Sequence, residues 1–264
     1  MRFVKYSGSG NDFLIFTSCV RDNGSRANLA QKVCHRHNGI GADGMIVLLP
    51  FATNDYEYEW EFYNTDGSKA NMCGNASRVI GHYAYSEGIA GQKHRFLSQA
   101  GVINIQIDSQ NPLKVQSDLG CYKVLNEHIE ESNPYGVSEF VLLDTGVPHL
   151  VGFVSKLEDL PQNKDTLLVH WRHSYNANVN LAYIDSGQKI FFITYERGVE
   201  EITLACGTGA AAVFAQAFKK GLVNEQCALI PPSQERLELT MGADSHILFQ
   251  GEIRRIALCE WFGD

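Results

Sequence analysis

The stretches MCGNASRVIGHYAYSEG, residues 72–88, and ACGTGAAAVFAQAFKKG, residues 205–221, are built alike. Each sets a Cys-Gly pair ahead of a helical pattern, and each pattern stops at a glycine fifteen positions after its cysteine. In the first, Val79, Ile80, Tyr83 and Ala84 gather on one side; in the second, Ala210, Val213, Phe214, Ala217 and Phe218 do. Both are therefore expected to be amphipathic helices buried on a sheet. The flanking sequence repeats too. YEYEWEFY (56–63) alternates aromatics with acids at period two, which predicts a half-buried strand. It leads through a polar turn, Asn64 to Gly67, to Cys73, and VINIQID (102–108) resumes the alternation. Later a strand at 189–195 leads through a turn, Glu196 to Gly198, to Cys206, and strand follows again.

EFVLLD, NVNLAYID, QKIFFITY and HILFQGEIRRIAL read as further strands. Helical patterns are fewer: about 27–37, 74–87 and 207–220, with a short one near 155–160. Strands in runs, not alternating with helices, predict an α+β fold with mostly antiparallel sheets. The repeated order of elements predicts two similar domains related by a pseudo-twofold axis, since the repeat is too long for a solenoid. The boundary falls within 112–122, giving domains 1–116 and 117–253, with a C-terminal strand at about 254–264 returning to the first. In such an arrangement two equivalent helix N-termini could face each other across a cleft.

Composition sets outer limits. An apolar fraction of 44% and a charged fraction of 20% over 264 residues are those of an ordinary globular protein. The net charge of −8 argues against general nucleic-acid binding and against anionic membrane surfaces. No apolar run reaches membrane-spanning length, and MRFVKYSGSGNDF lacks the apolar core of a signal peptide, so a cytoplasmic protein is expected. Seven cysteines, an odd number at wide spacings in a chain this long, read as thiols in a reducing compartment.

A cysteine at a helix start is in special surroundings. Up to four N–H groups there lack intrahelical partners, and the helix carries partial positive charge. A thiol in that position loses its proton more readily, and a carboxylate or phosphate binds readily. One such site suits an anion. Two, both headed by cysteine, suit one sulfur on each face of a single carbon, which inverts a stereocentre without a cofactor. A thiolate removes the α-proton of an amino acid, a thiol on the opposite face returns one, and the helix N–H groups stabilise charge on the carboxylate.

The chain resembles the diaminopimelate epimerase family over essentially its full length. The resemblance rests on YSGSGNDF, FYNTDGS and MCGNASR in the first half and on GVPH, NVN, YERG and ACGTGA in the second. It implies interconversion of LL- and meso-diaminopimelate, a precursor for lysine and peptidoglycan, with no pyridoxal phosphate, other cofactor or metal. The implied fold is two similar domains, each a sheet wrapped around a central helix, closing over the substrate; the implied assembly is a homodimer. By the same resemblance Cys73 and Cys206 are the acid/base pair, and Gly74, Asn75, Gly207 and Thr208 hold the reacting carboxylate at the helix starts. His149 accompanies the first cysteine, while Glu196 accompanies the second and contacts the substrate amine. Asn64, Asn180 and Arg197 grip the distal amino-carboxylate end, and Asn11 is a further substrate contact. An arginine can clasp a carboxylate bidentately. The side chain of Asn75 can also reach the substrate. Two positions depart from the family: many members carry glutamine at Gly44 and asparagine at Val147, which bears on the grip and not on the reaction type.

Two other readings of the same scaffold are a racemase of another amino acid and a non-catalytic amino-acid-binding protein. Two motifs point elsewhere and are set aside. GIGADG (39–44) fits a dinucleotide fingerprint, but a helix is expected before it and a strand after it, the reverse of the required order; Gly39 reads as a helix C-cap. CHRH (34–37) lacks zinc-ligand spacing, and Arg36 would oppose a cation.

Overall fold

The computed structural model describes residues 1–185 and 188–263; Asp264, the last residue of the expected C-terminal strand, lies outside them. The chain divides into two compact units. One comprises Met1–Ser117 and the chain from Gln250 onward, the other Asp118–Phe249.

The first unit holds β1 (Arg2–Gly8), β2 (Asn11–Thr17), β3 (Gly44–Leu49), β4 (Tyr58–Asn64), β5 (Lys93–Ser98), β6 (Gly101–Ile107) and the first half of β7 (Lys114–Cys121). Helices α1 (Arg26–Cys34) and α2 (Gly74–Ser86) belong to it as well. The strands follow chain order, and the last strand of the molecule, β16 (His246–Glu260), joins β7 and pairs antiparallel with β1. The unit is thus a closed ring of strands, which removes its bare edges. Down the middle runs α2. Val79, Ile80 and Ala84 on the helix meet inward side chains such as Tyr6, Phe13, Phe62 and Ile105, all buried. Glycine at position 81 permits the close approach of β6, since a Cβ there would come within 2.7 Å of the Ile105 side chain. Outside the ring, α1 covers β3, whose six residues are buried on both faces. The acids of β4 are consequently not left to water. Glu59 pairs with Arg21, and Glu61 pairs with Arg26 of α1.

The second unit repeats this plan. Its strands are β8 (Lys123–Ile129), β9 (Phe140–Asp144), β10 (Pro148–Phe153), β11 (Asn178–Ile184), β12 (Lys189–Glu196), the short β13 (Glu201–Ile202), β14 (Gln226–Ile230) and β15 (Leu237–Met241). The first part of β16 completes it. From β1 to β6 the pairings run antiparallel, parallel, antiparallel, parallel, antiparallel. From β9 to β15, leaving out β13, they run in the same sequence. Helix α4 (Gly207–Lys219) is the counterpart of α2, with Ala210, Val213, Phe214 and Ala217 fully buried among Phe192, Leu229, Leu239 and Phe249.

Helix α3 (Thr166–Tyr175) is the counterpart of α1 and departs from the sequence expectation, which had no helix there. It is held by its ends. Asp165 accepts the N–H groups of Leu167 and Leu168, and Asn176 closes the C-terminus in the left-handed conformation. Only Leu168 and Trp171 are buried on it, too short a stripe to stand out as a helical period. Helix α1 ends at Cys34, three residues earlier than expected, and Gly39 is not its C-cap. The loop at 40–42 turns its N–H groups onto the Val33 and Cys34 carbonyls, and the αL glycine is Gly41. The order helix–GIGADG–strand stands as expected.

Candidate active site

Each unit carries one cysteine at the start of its central helix. Cys73 is the N-cap of α2, with φ −151° and ψ 122°; Cys206 is the N-cap of α4, with φ −125° and ψ 114°. Both carbonyls accept the first bond of the helix, from Ser77 and Ala210, at 2.9 Å. The N–H groups between cap and first bond, those of Gly74, Asn75 and Ala76 and of Gly207, Thr208 and Gly209, are the ones helix geometry leaves for other partners.

In the first unit Cys73 is half-buried, and the residues behind it are locked. Asn75 is 1% exposed; its amide donates to the Asn11 side-chain oxygen at 2.7 Å and its oxygen accepts from Arg78 at 2.8 Å. Asn11 in turn donates to Asp43 at 3.3 Å. Arg78, fully enclosed, also donates to the Ser9 hydroxyl at 2.8 Å. This chain ties the first strand turn to the helix start, so the expected substrate residues Asn11 and Asn75 are partners of one another. Asn64 ends β4 and donates to Ser68 at 3.0 Å across the tight turn that leads towards Cys73. Gly44, the first residue of β3, pairs with Asn64 of β4. A side chain at 44 would begin 2.7 Å from the Phe62 ring, so the space that a glutamine would need is filled here by Phe62.

In the second unit the Cys206 sulfur accepts the Gly209 N–H at 3.4 Å and lies 3.4 Å from the Thr208 hydroxyl. The Thr208 carbonyl is held by the Thr145 hydroxyl at 2.9 Å. His149 on β10 is wholly buried, and burial, with the positive charge of Arg197 acting the same way, pushes its pKa down to about 3. Its ring nitrogens face Asn180 and Asn178, which the period of two puts on one face of β11. Asn180 is also wholly buried. Its amide turns inward to His149, the Leu150 carbonyl and the Thr194 hydroxyl. Arg197 follows Glu196 at the end of β12. Its backbone N–H bonds the Asn178 oxygen at 2.8 Å and its guanidinium bonds the Asn176 carbonyl at 2.8 Å.

The structure thus brings Cys73, Gly74, Asn75 and Asn11 together in one unit. It brings Cys206, Gly207, Thr208, His149, Asn180, Glu196 and Arg197 into the other. Sequence reasoning missed Arg78, Asn178 and Thr194. Arg78 had a visible signal, the one lysine or arginine in the helical pattern that follows Cys73. Asn178 had another, standing two positions before Asn180 in NVN. Thr194, one of many strand threonines, had none.

The family model for diaminopimelate epimerase matches residues 3–125 and 141–256. The chain belongs to the diaminopimelate epimerase family. A diaminopimelate epimerase of Helicobacter pylori is 49% identical over 271 residues, covering 98% of this chain and 95% of its own. Those of Nitratiruptor and Campylobacter jejuni are 46% and 40% identical, with coverage of 96% or more on both sides. Among solved structures, a probable proline racemase of Agrobacterium radiobacter superposes with a TM-score of 0.75 at 14% identity, covering 100% of this chain and 93% of its own. A phenazine biosynthesis protein of Bacillus anthracis gives 0.76 at 12%, covering 99% of each chain. These last two show a shared two-domain fold. As a member of the diaminopimelate epimerase family, the protein is an isomerase acting on a small molecule.

Proposed function

We propose that the protein epimerises LL- and meso-diaminopimelate by two-base proton transfer, with Cys73 and Cys206 on opposite faces of the α-carbon. One thiolate takes the α-proton while the other cysteine, as thiol, gives its proton to the carbon. The observation that carries this reading is the matched placement of the two cysteines, each the N-cap of the buried central helix in a repeated topology. The N–H groups of Gly74 and Asn75 and of Gly207 and Thr208 bind the reacting carboxylate. They stabilise it as charge flows from the carbon, the largest electrostatic contribution in such a reaction. Glu196 acts beside Cys206 and the substrate amine. Asn64 and Arg197 hold the distal end, Arg197 by exchanging its carbonyl partner for a carboxylate, a stronger, charge-assisted acceptor. Asn11 and Asn75 keep the α2 start in place. The family implies a cytoplasmic homodimer that makes the meso isomer for lysine and peptidoglycan.

The test is incubation with LL-diaminopimelate in D₂O. Deuterium appears at the α-carbon together with the meso isomer if the reading holds. Binding without exchange would leave an amino-acid-binding protein, and faster racemisation of glutamate or proline would move the substrate assignment.

A further inference from the structure

The buried imidazole of His149 lies between two amides. Its Nδ1 is 3.0 Å from Nδ2 of Asn180, and its Nε2 is 3.5 Å from Nδ2 of Asn178. Neither amide can be turned round. The end of Asn180 that meets His149 also meets the Leu150 carbonyl at 3.3 Å; a carbonyl only accepts, so that end is the NH₂ group. The other end accepts the Thr194 hydroxyl proton at 2.7 Å. Asn178 donates to the Pro148 carbonyl at 3.1 Å and accepts the Arg197 backbone N–H, which pins it likewise. An imidazolium has a proton on both nitrogens and would aim N–H at N–H on both sides. A neutral ring has one lone pair to offer, and the shorter contact puts it on Nδ1.

We propose that Asn180 and Thr194 are positioning residues that hold His149 as a neutral ring with its proton on Nε2, so that it serves the reaction as a hydrogen-bond donor and not as a base. This rests on the reading of His149 as a group of the reacting site. It gives Asn180 a task beside the grip on the distal carboxylate that the family resemblance implies. No proton passes to His149 in turnover: the α-proton goes to one sulfur and the other sulfur's proton goes to the carbon. The thiolate is then stabilised by helix N–H groups and by a neutral donor, without an imidazolium partner. Gly209 belongs to the same device. A Cβ there would lie 2.6 Å from both the Asn180 and Thr194 side-chain oxygens, so glycine lets the pair sit directly under the first turn of α4. Among the described residues, the only charged side chain shown acting on the ring is Arg197, which also opposes protonation.

Nitrogen NMR of the full chain labelled with ¹⁵N-histidine reads the ring directly, the His149 signals being assigned by their loss in His149→Gln. The expected spectrum at pH 7 has an unprotonated Nδ1 and a protonated Nε2; a proton on Nδ1, or on both nitrogens, overturns the proposal. Asn180→Asp replaces the NH₂ group with a carboxylate oxygen and should draw a proton onto Nδ1. Thr194→Val frees the amide and should lower kcat about tenfold, the worth of one lost hydrogen bond, with KM unchanged and Thr194→Ser restoring the rate. Wild-type kcat in Thr194→Val would overturn the positioning role. Deuterium exchange at the α-carbon of LL-diaminopimelate by the wild-type protein reports on the epimerase reading alone. Its failure alongside the expected ring signals would remove the catalytic role and leave the tautomer standing.

Discussion

Cys73 and Cys206 occupy the same place in their helices but not the same surroundings. Cys206 is 7% exposed and receives the Gly209 N–H, whereas Cys73 is half-buried. Cys73→Ala and Cys206→Ala should each reduce epimerisation below detection with thermal melts close to wild type; turnover in either would refute the two-base reading. The pH–rate profile should be bell-shaped, because one thiolate and one thiol are needed at once. His149 should add no limb of its own near pH 6.5, since its folded value lies at about 3. A limb near pH 6.5 that vanishes in His149→Gln would contradict this.

At the scale of elements, side-chain caps hold helix ends that lack an intrahelical partner. Asp165 accepts two N–H groups at the start of α3, and its removal leaves both without that partner. Asp165→Ala should cost about 1 kcal/mol in urea denaturation, the usual worth of such a cap. Gly44→Gln should destabilise by roughly 1–3 kcal/mol, the usual cost of forcing extra atoms into filled space, and should not raise kcat/KM. The central helices and most strands were legible because period and burial agree there: α2 and α4 carry wide apolar stripes, and VINIQID alternates inward and outward. Helix α3 was not, since two buried residues make no period, although the pattern of the repeat called for a partner to α1. The strand at 56–63 was legible as a strand but not as one covered on both faces, because that depends on α1 and Arg21 arriving from elsewhere in the chain. At the site the cysteines could be found from spacing alone. The asparagines could be found as polar residues, but their partners come from other strands, and no local pattern encodes which amide faces which ring.

At the scale of the whole molecule, buried titratable groups set the response to acid. His82, His94 and His149 are all pushed below 6.5 by burial. Between the folded and unfolded values the unfolded chain binds more protons, so stability is full above about pH 6.5 and falls as the pH drops below it. The carboxylates follow at lower pH. Burial acts upward on Asp12, but hydrogen bonds from Arg36 and Lys5 outweigh it and hold it low. Burial acts upward on Glu61 as well, outweighed by the Asp22 N–H and Arg26. Their contribution is present above about pH 4 and is lost as pH falls through their lower folded values. The melting temperature should therefore decline from pH 7 to pH 5, before the carboxylates titrate; a flat curve over that range would show the histidines to be unperturbed.

The closing strand of the first ring is made last. A ribosome releases β1 to β7 and then β8 to β15 before β16 appears, and at about 5–20 residues per second that interval lasts several seconds or longer. Throughout it the edges of β1 and β7 lack the neighbour that seals them. The half of the protein that is synthesised first is thus the half that matures second, and the nascent chain spends that interval with two open strand edges that a chaperone, or a neighbouring nascent chain, could pair with.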